Sequence, residues 1–290
     1  MLIRIHVYFN NRLKISIVKK IFWLCLLGVM AVSACNKSDN NDGSTIPTAS
    51  LEGKIKLLMD VVSGIKVTLW SDSSLSVGYN KLYFTLEDSV SGQSLTDVSP
   101  VLSAKMDMDG MMMSGPCENP EFKDDLKGYE GASVFTMPGN DMMGKWVIML
   151  AFENPNTGRD DTATFSVEVK SAGFGTVLTQ KGNDSAQYLI TLIQPLHPQI
   201  GMNNMELLIC KQSDNSMSYV PENDLTIEAK PQMPSMGGMT STGNENPAFT
   251  ANGHYLGKVN LNMTGDWQID LKIHKGGALI LDNAHFNFTF

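Results

Sequence analysis

Two clusters of methionine stand at matching places in the chain. The first reads Met106-Asp-Met108-Asp-Gly-Met111-Met112-Met113 and the second Met233-Pro-Ser-Met236-Gly-Gly-Met239. Each opens shortly after an Ala-Lys pair, Ala104-Lys105 and Ala229-Lys230. Thioether sulfur is a soft ligand and selects Cu(I). It has no proton to lose, so a thioether site binds with little dependence on pH, unlike one built from His or Cys. The Asp, Pro and Gly between the sulfurs are loop residues, and loops run over the surface. The sequence therefore predicts exposed thioethers at both places. On a strand, Met106 and Met108 share one face with Asp107 on the other, and Gly110 lets Met111, Met112 and Met113 fold back toward them. Cys117, four residues after Met113, is a candidate thiolate ligand. His254, in the loop after the second cluster, is a candidate supplementary ligand.

Methionine has other uses. It fills irregular gaps in cores and lines adaptable protein interfaces, and it traps oxidants as the sulfoxide. Of 19 methionines, 17 follow the leader described below, and eight of these lie in the two clusters. Met137, Met149 and Met263 sit on predicted strands, where packing is expected. Cys210 ends the apolar run Leu207-Leu-Ile-Cys and reads as a small buried hydrophobe. Spacings for zinc (H-x-H, H-E-x-x-H, C-x-x-C), a nucleophile elbow and a phosphate loop are absent. Asp107 and Asp109 lack the spacing of an EF-hand. The expectation is a binding module and not an enzyme, with no small-molecule substrate evident.

The first 34 residues carry Arg4, Arg12, Lys14, Lys19 and Lys20, no acid, and an apolar stretch from 21 to 32 too short to span a membrane. They read as a signal peptide. The stretch ends in Val32-Ser33-Ala34-Cys35, which resembles a lipobox, so Cys35 is expected to become the lipidated first residue of a lipoprotein. The polar run Asn36–Thr45 has nothing to pack and reads as a tether. It resembles the acid-containing segment of Bacteroidetes lipoproteins that directs export to the cell surface. The expected address is the cell envelope, with the chain anchored to the outer membrane by lipid on either face. Loss of the five leader cations leaves 17 of 22 Lys and Arg against 30 Asp and Glu, a net charge of −13. That excludes nucleic acid, which needs basic patches, and favours cations. Cys117 and Cys210 are the only cysteines left, too few for a disulfide framework.

The elements that must position the clusters repeat. Gly78-Tyr-Asn80 matches Gly201-Met-Asn203, Tyr129-Glu-Gly131 matches Tyr255-Leu-Gly257, Met137 matches Met263, and Gly144-Lys-Trp146 matches Gly265-Asp-Trp267, at offsets of 123, 126, 126 and 121. Near-constant offsets indicate duplication of a unit of about 120 residues. In the first unit, residues 65–70, 81–87, 98–106, 132–137, 146–153 and 162–169 are rich in β-branched and aromatic residues; in the second, 188–193, 206–210, 225–230, 257–263, 267–273 and 286–290 are. No stretch after the leader has helical periodicity. The expected fold is all-β, with two tandem immunoglobulin-like antiparallel β-sandwiches at 51–170 and 171–290, after the leader (1–34) and the lipidated Cys and tether (35–50). Trp146 and Trp267 are the expected core anchors.

The order of motifs resembles the YtkA-like and FixH-like β-sandwich domains. The second half carries the resemblance best, through Lys230-Pro-Gln-Met-Pro-Ser-Met-Gly-Gly-Met239, Gly253-His-Tyr-Leu-Gly257 and Met263-Thr-Gly-Asp-Trp267. The resemblance implies small secreted or membrane-anchored modules often associated with copper and respiratory-oxidase assembly. Related domains often place His among the methionines, and neither cluster here contains one. The expected function is soft-metal handling, with Cu(I) held by Met106, Met108, Met111, Met112, Met113 and Cys117 in one half and by Met233, Met236, Met239 and His254 in the other. The alternative is an interaction module that meets an envelope protein partner and holds no metal.

Overall fold

The computed structural model describes residues 51–108, 110–142, 144–213 and 218–290, so the expected signal peptide, Cys35 and tether lie outside the described residues. Two pairs of antiparallel sheets make up the described chain. The first nine strands are β1 (Ile55–Val62), β2 (Ile65–Ser71), β3 (Gly78–Asp88), β4 (Val101–Met108), β5 (Met111–Ser114), β6 (Cys117–Lys123), β7 (Gly128–Phe135), β8 (Trp146–Asn154) and β9 (Arg159–Val167). They form one sheet in the order β1-β2-β3-β7-β6 and another in the order β5-β4-β8-β9. The remaining strands are β10 (Val177–Lys181), β11 (Gln187–Gln194), β12 (Gly201–Gln212), β13 (Tyr219–Pro221), β14 (Leu225–Met233), β15 (Met239–Thr240), β16 (Glu245–Ala251), β17 (His254–Leu261), β18 (Asp266–Lys275) and β19 (Ala278–Thr289). Their sheets run β10-β11-β12-β17-β16, with β13 paired to β12, and β15-β14-β18-β19.

Both sets follow one plan. With β2, β3, β6 and β7 lettered A, B, D and E, and β4, β5, β8 and β9 lettered C, C′, F and G, the sheets are A-B-E-D and C′-C-F-G, the immunoglobulin arrangement. Strands β11, β12, β14 to β19 repeat it. The predicted all-β immunoglobulin-like fold is the fold observed, and the described residues contain one short 3-10 turn, Pro234–Met236, and no α-helix. Strands with one buried face alternate: β14 buries Leu225, Ile227, Ala229 and Met233 and exposes Thr226, Glu228 and Lys230. Strands β11 and β12 do not alternate, because they are buried on both faces. Ile190, Leu207 and Ile209 enter the core of the second sandwich, while Leu189, Leu208 and Cys210 enter a seam shared with Val134 and Tyr79 of the first. The unbroken run Leu207-Leu-Ile-Cys210 follows from that double burial.

The duplication extends to hydrogen bonds. Trp146 Nε1 donates to the Met137 carbonyl and Trp267 Nε1 to that of Met263, each at 3.0 Å. The Asn80 side chain closes the turn on Ser76 and Gly78, and Asn203 does the same on Gln199 and Gly201. Asn119 accepts from Leu102 N at 3.0 Å, and Asn246 from Ala229 N at 3.0 Å. Tyr129 Oη donates to Leu95 O and accepts from Val98 N. Tyr255 Oη donates to Glu222 O at 2.8 Å and accepts from Leu225 N at 3.1 Å. Each pair ties the same two strands or loops, so the matched sequence positions are the joints of the fold. Replacing Tyr255 with Phe leaves a buried carbonyl and a buried N–H without their partner. A loss of about 2 kcal/mol is expected in urea unfolding, and an unchanged midpoint would show that the tyrosine acts by packing alone.

Seven strands escape the sequence reading: β1, β5, β6, β10, β13, β15 and β16. The segment Ile-Lys-Leu-Leu-Met-Asp-Val-Val of β1 has no alternation because its register shifts between Lys56 and Leu58. It pairs with β2, and its Asp60 Oδ2 also accepts a hydrogen bond from Thr164 N of β9, so it closes the edge between the two sheets.

Candidate metal site on a methionine hairpin

The first methionine cluster is the C–C′ hairpin: Met106 and Met108 end a strand, as expected, but Met111, Met112 and Met113, expected in a loop folding back, form a second strand. Strands β4 and β5 are separated by two residues, and the sequence there, Asp-Gly, is among the dipeptides suited to a tight hairpin. The register sets Met106 opposite Met113, Asp107 opposite Met112 and Met108 opposite Met111. Side chains alternate along each strand and align across the pair. Met106, Met108, Met111 and Met113 therefore share one face, and Asp107 and Met112 share the other. The shared face belongs to the sandwich interior. Met106 is fully buried, Met108 and Met113 are half-buried against the core, and Met111 is 65% exposed. The sulfurs thus form a row leading from core to solvent at the open end of the sandwich.

Burial divides the predicted ligands. Met106 sits at 0% exposure among Leu102, Ala104 and Trp146, so it packs the core and presents no sulfur to solvent. Met233 at 2% exposure does the same in the second sandwich. There Met233 pairs with Met239 across a five-residue loop, Met239 is half-buried against the core, and only Met236, on the 3-10 turn, stands out into solvent. Ser235 N and Oγ both bond to Asp266, which pins that loop. The first hairpin therefore offers three accessible thioethers on one face, Met108, Met111 and Met113, with Met112 behind them. The second offers Met236 and part of Met239.

Cys117 and His254 do not join these clusters. After β5 the chain crosses between sheets at Gly115-Pro116, and Cys117 opens β6, where its Sγ lies 3.5 Å from Ser133 Oγ. Burial pushes its thiol up to about 11, so it stays protonated. Cys210 is buried in the seam, its thiol raised to about 12 by the same cause, and both cysteines are free. His254 opens β17 in the other sheet from the methionines. Its Nε2 lies 2.5 Å from Glu118 Oε1 of the first sandwich and its Nδ1 2.9 Å from Glu206 Oε1 of the second. Tyr79 Oη donates to the other oxygen of Glu118 at 2.7 Å, and the Tyr79 ring meets the imidazole edge-on at 5.8 Å. The two carboxylates, Glu118 foremost, raise His254 from 6.5 to about 9. Burial works to push Glu118 up, but the bonds from His254 and Tyr79 outweigh it and hold its carboxyl below the ordinary range. Both ring nitrogens of the imidazolium donate, so neither lone pair is free for a metal.

This imidazolium bridge borders a cleft of roughly 590 Å³ between the sandwiches, lined also by Cys117, Glu121, Glu130 and Thr250. Cys117, Glu118, Glu121 and Glu130 share strands β6 and β7 of the first sandwich, and only the packing of the two A-B-E-D sheets brings Glu206, Thr250 and His254 of the second against them. Among the described residues no group of three or more His, Cys, Asp and Glu side chains is arranged to hold a metal ion.

Solved structures similar to the chain include FdeC, an Escherichia coli adhesin, at 12% identity and a TM-score of 0.25, covering 80% of this chain and 65% of that one. Invasin, a bacterial integrin-binding protein, is similar at 12% identity and a TM-score of 0.24, covering 78% and 39%. A β-glucuronidase of Parabacteroides merdae is similar at 9% identity and a TM-score of 0.22, covering 79% and 24%. The chain spans less than two thirds of the length of each. No curated protein matches it. Residues 183–272, from the turn before β11 into β18, match the YtkA-like family model.

Proposed function

We propose that the protein is a lipid-anchored module of the cell envelope that holds Cu(I) on the thioether row of its first sandwich. One observation carries the reading: the β4–β5 register that places Met108, Met111 and Met113 side by side at the open end of the sandwich. Three neutral sulfurs suit Cu(I), which accepts low coordination numbers and soft donors, and they discriminate against hard cations that need oxygen ligands. Buried Met106 sets the depth of the row, because its packing fixes the strand from which the others project. Affinity from thioethers alone is moderate, which fits buffering or transfer. Lipidation at Cys35 and a place at the outer membrane complete the reading. The acidic balance of the mature chain favours cations near its surface.

The exposure of Met111 and Met112 favours a second reading, an adaptable interface for an envelope protein partner with no metal role. A competition titration separates the two. The mature chain is titrated with Cu(I) against a chromogenic chelator, without oxygen, at pH 5.5 and pH 7.5. Equal affinity at both pH values is expected, since no proton is displaced. The triple variant Met108→Leu, Met111→Leu, Met113→Leu keeps volume and hydrophobicity and is expected to weaken binding at least tenfold, about 1.4 kcal/mol, with little change in melting. Inability of the unaltered protein to compete at either pH would leave only the interface reading.

A further inference from the structure

The two halves differ in length at one of their matched intervals. Between the matched methionine and the matched tryptophan, the first half reads Met137-Pro-Gly-Asn-Asp-Met142-Met-Gly-Lys-Trp146 and the second only Met263-Thr-Gly-Asp-Trp267. The offset falls from 126 to 121 there, so the first half carries five extra residues, and Met142 lies in them. The structure shows where that longer turn goes. Strand β4 pairs with β8 only as far as Met106 opposite Trp146. Beyond that pair the edge of β4 has no strand beside it on this side. The turn occupies the vacated place: it is closed by the bridge Asn140–Gly144, and Gly144 at φ 93° lies so near the β4 backbone that a Cβ there would stand 2.5 Å from Asp107 O and 3.5 Å from Met106 Cε. Met142 rides on the turn at 93% exposure, its amide held by Asn140 Oδ1 at 2.9 Å.

We infer that Met142 is a further thioether ligand of the metal row, supplied by an insertion that only the first sandwich has. The inference rests on the Cu(I) reading of that hairpin. Across the open end the order is β5, β4, turn, with Met111 facing Met108 on one side of β4 and the Met142 turn on the other. Adjacent strands lie about 4.8 Å apart, so three neighbouring backbones span about 10 Å. A methionine side chain has three rotatable bonds and adapts its reach, which lets sulfurs from the two outer backbones converge above the middle one. A large apolar side chain left almost wholly in water on a pinned turn gains nothing from its position in the unliganded protein. As a capping sulfur it closes the row from the solvent side and raises coordination from three thioethers to four. The second sandwich has neither the extra turn nor an accessible row: beyond buried Met233, Met236 stands alone in solvent and Met239 is half-buried against the core. One metal per chain, on the first sandwich, is the stoichiometry this assigns.

The test uses the full mature chain carrying 13C-labelled methionine methyl groups, titrated with Ag(I) as a redox-inert stand-in for Cu(I). Assignments come from single Met→Leu variants. The methyl signals of Met108, Met111 and Met142 are expected to shift together and saturate at one equivalent, and Met142→Leu is expected to weaken Cu(I) affinity five- to tenfold. Shifts at Met108 and Met111 with an unmoved Met142 signal would overturn the inference and leave the Cu(I) reading standing. No shift at any of the three would overturn both. Saturation at two equivalents, with Met236 shifting as well, would overturn the assignment of the site to the first sandwich alone.

Discussion

A His254→Gln protein is expected to be about 3 kcal/mol less stable than the unaltered chain at pH 6 and nearly as stable at pH 9.5. The imidazolium is the bridge between the sandwiches, donating to Glu118 across the seam and to Glu206 within its own half. Its side chain is mostly buried, as are the two carboxylates it meets. Removing the imidazolium leaves two carboxylates at the seam without the cation that bonds them both, and breaking such a pair costs more than the pair contributes. The sign follows from linkage. The folded value of about 9 lies above the unfolded 6.5. The stabilisation is therefore complete below 6.5 and disappears as pH rises through 9; the shift corresponds to about 3 kcal/mol. Glu118 acts in the opposite direction, because its folded value is depressed: its contribution is present above the ordinary carboxylate range and is lost as pH falls through its folded value. Stability of the unaltered protein is thus expected to peak in mildly acidic solution and decline toward pH 9.5. Urea unfolding of both proteins across that range provides the measurement. Parallel curves for the two proteins would show that His254 does not hold the seam.

The sequence made the joints of the fold legible and left the seam hidden. Asn80, Tyr129, Met137 and Trp146 match Asn203, Tyr255, Met263 and Trp267, and all four pairs make the same hydrogen bonds in both sandwiches. Such residues are legible because a turn-closing Asn or a buried Trp needs a particular chemistry at a particular place. The methionine hairpin is legible as a position and its first arm as a strand, whereas its second arm reads as a loop. Met-Met-Met-Ser has no polar alternation to mark a strand, and Asp-Gly signals both a loop and a hairpin turn. The burial of Met106 and Met233 was not legible, because a thioether suits core and solvent alike. His254 was assigned to the wrong neighbours. It follows the second cluster in sequence, yet β17 belongs to the opposite sheet, and its partner Glu118 lies 136 residues away. That contact depends on how two duplicated sheets pack on each other, which no local pattern encodes beyond the double-sided hydrophobicity of β11 and β12.

Gly115 decides whether the methionine row can be built at all. The chain must leave the C′ strand and enter strand D of the opposite sheet within two residues, Gly115 and Pro116. It does so by passing hard against β7: a Cβ at Gly115 would lie 1.8 Å from Val134 O and 3.0 Å from Val134 C. The obstacle is backbone, so no rotamer relieves it. Gly115 N also donates to Ala104 O at 3.4 Å, and Val134 N donates to Pro116 O at 2.9 Å, so a retreat of either segment breaks a bond that ties the two sheets. Val134 itself packs in the seam with Leu189 and Leu208, which spreads the disturbance to the second sandwich. Gly115→Ala is therefore expected to cost more than about 3 kcal/mol, at or beyond the upper end for overpacking, where side chains give way and the cost stays near 1–3 kcal/mol. Because Met113 lies two residues upstream, the Cu(I) binding proposed for the row is also expected to be lost in step with stability. Gly173→Ala is the control: nothing lies within 4 Å of its Cβ position, and a change within about 0.5 kcal/mol is expected, as for an ordinary surface substitution. If Gly115→Ala melted with the unaltered protein and still bound Cu(I), the strands that carry the row would not depend on this crossing, and the hairpin would have to be held by Met106 packing alone.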